Sequence, residues 1–488
     1  MSQATRSGAA TDTSGPRLGG HLSYRYVWAV LFLGWVVSYA DRTVTGPVVS
    51  WMIAEKSGFI GDASNPATIG GLVGSMFFTG YLLTQYAGGH IGDRYGHRNV
   101  LVVSLLWAGV MTIVSGAVAG LVAFVAARVL TGLGEGVFYS NDRTLVMNTT
   151  PEDKRTLGLG VVVAGLSVGL TIGIVATPYL IDLGSAVGMG DHAWGMPLFV
   201  LGALTLVVAA LSARFFRVEG GRSLALRQPF WRLVLYSTPT FVAILVLFVA
   251  AEELGWPEWL TAIGSGVLAL AMIGWVVRQV SREGHAATLL GRDAWMVYIA
   301  FIGVMWNLWF FSFWSVEIVR EAADSSLLAA SLTAAFNAGA GILGFPIGGW
   351  IADRQVKRGR TRKPLAITCA AVHAVLAAAF GLTVASGSPS LWLLGLILFT
   401  TGLFFNALQP IVHGITGDLV PASQRGSVFG IFNLVAEIGA VASPVVSGVL
   451  RDATGSWVPG IFLAAAIMAV SIVFYALVRE KAPGAVTA

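Results

Sequence analysis

Apolar runs long enough to cross a bilayer recur from one end of this 488-residue chain to the other, and that recurrence leaves few choices of fold. About 20 apolar residues in a helix span roughly 30 Å of hydrocarbon, where no water can take up an unpaired N–H or C=O. A helix satisfies those groups within its own segment. The runs are continuous rather than alternating, which argues against a membrane β-barrel. With 56% hydrophobic and 11% charged residues, the chain has too little polar surface to cover a soluble globule of its size. It reads as an all-α membrane protein.

Spans are expected near 26–50, 68–90, 99–118, 121–145, 157–181, 195–216, 233–251, 259–278, 294–317, 327–351, 364–386, 391–412, 426–450 and 457–478, about fourteen in all. Basic residues fall after the even-numbered spans: Arg94 and Arg98; Lys154 and Arg155; Arg214, Arg217, Arg222, Arg227 and Arg232; Arg278, Arg282 and Arg292; and the run from Arg354 to Lys363. The alternate connections carry almost only Lys56, Arg320 and Arg451. The positive-inside rule then places both termini in the cytoplasm of a cell whose plasma membrane the chain crosses many times. It also accounts for the net charge of +5 without a nucleic-acid partner.

The expected organisation is a disordered polar tail at 1–24, a six-span bundle at 25–216, a linker with two extra spans at 217–293, a second six-span bundle at 294–481 and a short tail at 482–488. The tail has no apolar segment and so is not a secretory signal. The one cysteine, Cys369, sits in an apolar run without a metal-binding neighbour and reads as packing, and no cofactor or metal is expected. No Walker-type loop, His-Glu-x-x-His or Gly-x-Ser-x-Gly occurs, so neither an ATP-driven pump nor a membrane hydrolase is indicated, and an enzyme is not expected.

One short string occurs once per half: Gly88-Gly89-His90-Ile91-Gly92-Asp93-Arg94 and Gly348-Gly349-Trp350-Ile351-Ala352-Asp353-Arg354. A duplicated turn between spans indicates a duplicated bundle, the architecture of many solute transporters. Gly89-x-x-x-Asp93-Arg94-x-Gly96-His97-Arg98 resembles the turn between the second and third spans of the major facilitator superfamily, with His97 where Arg is usual. The resemblance covers nearly the whole chain apart from the inserted pair and implies that superfamily's two six-helix bundles. It also implies that Gly89, Asp93, Arg94, Gly96 and Arg98, with Asp353 and Arg354 in the other half, form a conformational latch.

Within the superfamily, further strings resemble the anion:cation symporters: Tyr39-Ala40-Asp41-Arg42 in the first span, Arg128-x6-Glu135-Gly136 in the fourth, and Gly165, Gly169 and Gly173 before Thr177-Pro178 in the fifth. Near the C terminus Gly430, Asn433, Pro444 and Asp452-Ala453-Thr454-Gly455-Ser456-Trp457 do likewise. The stretch Phe138-Tyr139-Ser140-Asn141-Asp142-Arg143 departs from that family's pattern, which leaves the substrate open. Fourteen spans are instead typical of one group of drug:proton antiporters, so export of drugs or metabolites stands as the alternative.

An ionised side chain in mid-bilayer costs at least about 2.5 kcal/mol, so such groups are normally paired, turned inward and functional. Arg128 and Glu135 are seven residues apart and share a helix face. A proton-coupled anion carrier needs a carboxylate that exchanges its proton and a fixed cation that holds the cargo. By the resemblance, Asp41 and Glu135 bind protons and Arg42 binds a substrate carboxylate, with Arg128 a partner of Glu135 or a second anion contact. A buried structural charge network is the competing reading. Tyr81, Tyr139, Asn307 and Asn433 offer hydrogen bonds to a polar ligand or between helices; Glu437 is an alternative proton site; His373 and His413 read as helix contacts. The expectation is uptake of a small organic anion, a sugar acid or an aromatic or other carboxylic acid, with protons, by a monomer in the lipid bilayer.

Overall fold

The computed structural model describes residues 24–54, 59, 66–215, 224–256, 258–325, 327–387 and 389–480. Both expected tails, apart from Tyr24, lie outside the described residues, as do Lys56, Arg217 and Arg222. A helix lies at each stretch expected to span, and no strand occurs among the described residues. The first half comprises α1 (Tyr24–Ala54), α2 (Pro66–Leu83), α3 (Gln85–Tyr95), α4 (His97–Ala117), α5 (Leu121–Thr149), α6 (Arg155–Val163), α7 (Gly165–Ala186) and α8 (Met196–Phe215). Then come α9 (Arg227–Glu253), α10 (Glu258–Arg282) and the single turn α11 (Ala286–Leu289). The second half comprises α12 (Arg292–Ala322), α13 (Leu327–Lys357), α14 (Lys363–Ala385), α15 (Leu391–Asp418), α16 (Arg425–Thr454) and α17 (Val458–Leu477). Among the described residues, twelve helical stretches are long and apolar enough to cross a membrane; α2 with α3, and α10, are not in that set.

The same packing pattern appears twice. In the first half α1 packs on α7, α2 on α5, and α4 on α5 and α8; in the second α12 packs on α16, α13 on α15, and α14 on α15 and α17. Inside a bilayer there is no hydrophobic gain from helix–helix contact, so small residues that let backbones close on one another set these pairings. Gly165, Gly169 and Gly173, four apart on α7, face the carbonyls of Phe32, Val36 and Ala40 on α1, where any Cβ would collide. Gly132 and Gly136 of α5 do the same against Phe77 and Tyr81 of α2. The two halves meet through α3 and α5 against α16, and through α6 against α13 and α15. α9 and α10 lie against the first half beside α2, and α10 also reaches α16.

Candidate functional site

α1 and α5 run antiparallel through the first half, and their facing sides carry three polar rungs. Arg128, Glu135 and Asp142 fall seven residues apart, two helical turns each, so they form one stripe on α5. At the first rung Arg128 donates to both carboxylate oxygens of Asp41, at 3.2 and 3.1 Å, and to its backbone carbonyl at 3.2 Å. At the second, Arg42 Nε donates to Glu135 Oε2 at 2.7 Å, and Ser38 Oγ donates to the same oxygen at 2.7 Å. At the third, Trp35 Nε1 donates to Asp142 Oδ2 at 2.5 Å while Arg143 Nη1 donates to both Asp142 oxygens at 2.8 and 2.7 Å. Every one of these ions is buried with an opposite charge beside it, which is the condition under which ions persist in hydrocarbon.

A cavity opens between the halves beside the second and third rungs. Its first-half wall is built by Trp35, Tyr39, Arg42, Tyr81, Tyr139 and Arg143, and the facing wall by Met305, Leu308, Trp309, Gln409, Asn433 and Glu437. Aromatic rings hold both guanidinium groups in place. Arg42 lies 4.1 Å from the Tyr81 ring centroid and 4.5 Å from that of Tyr39; Arg143 lies 3.9 Å from Tyr139 and 4.6 Å from Trp35. Such contacts favour a desolvated cation while leaving its N–H edge for an anion. Across the cavity Asn433 Nδ2 donates to Glu437 Oε1 at 3.1 Å, and Gln409 Nε2 is a buried donor without a partner among the described residues. Contacts join the walls: Tyr139 and His413 are hydrogen-bonded through the phenol and Nε2 at 2.7 Å, and the Phe78 and Trp309 rings meet edge to face at 4.7 Å.

Of the residues expected to serve cargo and protons, Arg42, Tyr81, Tyr139 and Asn433 line the cavity. Glu135 touches it only through Arg42. Asp41 and Arg128 are closed on each other away from its lining. Asn307 is also elsewhere: its amide donates to the carbonyls of Gly303 and Ala464, and its oxygen faces His373 Nε2 at 3.0 Å, so its groups are spent between helices. Trp35 carries no signal in the sequence, and Tyr39 and Arg143 stand there only within the strings Tyr39-Ala40-Asp41-Arg42 and Phe138-Tyr139-Ser140-Asn141-Asp142-Arg143, without a role of their own. The available signal was the seven-residue spacing that continues from Arg128 and Glu135 to Asp142.

At the end of the bundle carrying the duplicated turns, the two halves exchange helix caps. Asp93 accepts from the backbone N–H of Gly426 and Ser427, at 2.9 and 2.8 Å, and from Ser427 Oγ at 2.6 Å. Asp353 accepts from the N–H of Thr156 and Leu157, at 3.1 and 2.7 Å. Each carboxylate thus covers the second and third N–H of a helix in the opposite half, α16 or α6, whose own N-cap side chain makes no such bond. Carboxylates at helix N-termini also meet the positive end of the dipole. Close approach is enforced by Gly89 against the Gly426 carbonyl and Gly349 against the backbone of Thr156 and Leu157. Gly96 ends α3 at φ 92°, a conformation that favours glycine. His97, in place of the usual Arg, sits between Asp93 (3.3 Å) and Asn141 (2.9 Å). Arg94 and Arg354 are exposed at this end, and Arg98 is half-buried.

Comparison with known proteins agrees with this architecture. The family model described as Major Facilitator Superfamily matches residues 31–386 and, overlapping, 297–488. A probable sulfoacetate transporter of Cupriavidus necator is 24% identical over 451 residues, covering 88% of each chain. A hexuronate transporter of Bacillus subtilis is also 24% identical over 451 residues, covering 90% of each. Among solved structures, the Escherichia coli fucose:proton symporter superposes with a TM-score of 0.65 at 14% identity, over 94% of this chain and all of that one.

Proposed function

The chain belongs to the major facilitator superfamily, and from that premise we propose that it imports a small organic anion with protons, its two halves rocking about the cavity between them. The observation that carries the reading is Arg42, a guanidinium at the cavity wall whose only charged partner within ion-pair distance among the described residues is Glu135. A carboxylate or sulfonate arriving from the cavity competes with Glu135 for that cation. Once displaced, Glu135 is a buried acid without a counter-charge, and it takes a proton. Cargo and proton therefore enter together, which is coupling. Asp41, held by Arg128, tunes the next rung and is the second candidate for protonation. Two relatives, a probable sulfoacetate transporter and a hexuronate transporter, are named for organic acids.

In this reading the protein is a monomer in the plasma membrane with fourteen spans, α9 and α10 being the inserted pair between two six-span bundles. Both termini and the exchanged caps face the cytoplasm. Tyr81, Tyr139 and Asn433 hydrogen-bond the cargo, and Gly89, Asp93, Arg94, Gly96, Arg98, Asp353 and Arg354 make up the latch. The test is uptake by purified protein in liposomes, with hexuronates, sulfoacetate and aromatic acids offered under an imposed pH gradient. Glu135→Gln is expected to abolish gradient-driven accumulation while keeping exchange, and Arg42→Ala to weaken cargo binding at least about tenfold. Wild-type accumulation by the first, or unchanged affinity in the second, overturns the assignment. Export of cationic amphiphiles has one observation in its favour, the acid Glu437 on an aromatic-walled cavity; it is supported if lipophilic cations, and no anion, drive proton movement.

A further inference from the structure

Seven ionisable carboxylate and guanidinium side chains make up the three rungs and the cavity wall among the described residues: Asp41, Arg42, Arg128, Glu135, Asp142, Arg143 and Glu437. Six of them close into three ion pairs. Glu437 is left over. It is buried on α16 with the Asn433 amide as its hydrogen-bond donor, and no basic group lies within ion-pair distance of it among the described residues. The groups facing it from the packed elements are Tyr39 and Arg42 of α1, Tyr81 of α2, and Tyr139 and Arg143 of α5; Trp309 of α12 and Gln409 of α15 complete the wall. Of those, the two guanidiniums are the charged ones, and each already has a carboxylate on its own half.

We propose that Glu437 is a second proton carrier, on the half opposite Glu135, so that each monoanionic cargo molecule is imported with two protons. The proposal rests on the uptake reading above. Charge balance gives the number. With all seven groups ionised the site holds one negative charge in excess, and a monoanion at Arg42 brings the excess to two. Proton binding by Glu437 and by Glu135, each a carboxylate oxygen gaining one hydrogen ion from outside, returns the loaded site to neutrality. Release of cargo and both protons inside then moves one net positive charge inward per cycle. Glu437 and Glu135 belong to different halves, so one acid travels with each, and the empty carrier returns with both ionised. Glu437 also lies on the wall that receives cargo hydroxyls, so its protonated form can donate where its ionised form only accepts.

Two measurements on the full chain in liposomes test this. The first needs no cargo: infrared difference spectra across a pH titration count the carboxyl groups whose protonated C=O band appears. Glu437→Gln is expected to remove one band and Glu135→Gln a different one, whereas an unchanged spectrum in Glu437→Gln overturns the proposal. The second is the proton-to-cargo ratio with D-glucuronate, sulfoacetate, D-galactonate and 4-hydroxybenzoate as probes and the membrane voltage clamped by potassium and valinomycin. For the monoanionic probes the ratio is expected to be two in wild type, with uptake driven by an inside-negative voltage. In Glu437→Gln it falls to one and the voltage dependence disappears, and Glu437→Asp retains both. A wild-type ratio of one, or a ratio of two that survives in Glu437→Gln, overturns it. If no probe moves protons in wild type, the organic-anion reading fails, and the infrared count alone decides whether Glu437 exchanges a proton.

Discussion

At the third rung the Arg143 guanidinium closes on the carboxylate of its own chain neighbour, Asp142. Asp142 and Arg143 are adjacent, and neighbours on a helix point about 100° apart, so nothing in their order announces an ion pair. They meet because Trp35 fixes the carboxylate from α1 and the Arg143 side chain folds back over Tyr139. Glu135 is legible because it stands alone in an apolar run, and Arg42 because the Asp41-Arg42 pair interrupts another. Asn307 was legible as polar, but which way it faces around its helix was not. Removing one partner of a buried pair strands the other charge, at a cost of about 3–5 kcal/mol. Asp142→Asn is therefore expected to lower thermal stability in detergent markedly, whereas the double change Asp142→Asn with Arg143→Met recovers most of the loss. A double variant no more stable than the single one contradicts the pairing as the source of stability.

At the scale of elements, the helices follow from the apolar runs, and their pairings follow from glycines spaced by four. The caps exchanged between halves were harder to foresee, since the receiving groups are backbone N–H, which have no letter. A second duplication, Pro151-x-x-x-Arg155 and Pro421-x-x-x-Arg425 at the starts of α6 and α16, was the available hint. Gly349→Val is expected to hold the halves apart at the turn end, because its side chain meets the backbone of Thr156 and Leu157. Transport should be lost with the fold retained, and a cysteine placed nearby should label faster. Gly120→Ala, at a position with nothing within 4 Å, serves as the control and should transport normally. Normal transport by Gly349→Val contradicts the need for close approach.

For the whole molecule, the rocking cycle proposed above makes the balance between two arrangements depend on how firmly the turn end is closed. A charged cap contributes about 1–2 kcal/mol, and 1.4 kcal/mol is a factor of ten in an equilibrium. Asp93→Asn and Asp353→Asn should each shift the population toward opening at that end by about tenfold, as read by spin-label distances across α3 and α16 or α6 and α13. If the caps act independently, the double variant shifts it about a hundredfold. Identical distance distributions in wild type and both single variants contradict a latch role. The two carboxylates occupy matching places in opposite halves, each holding the start of a helix in the other's half, α16 for Asp93 and α6 for Asp353. Tilting one half away withdraws both at once, so partial opening gains nothing over full opening. In the rocking cycle proposed above, the seam would act as a toggle rather than a hinge: its intermediate positions would be disfavoured, and the same two side chains would suppress leakage through a half-open pore.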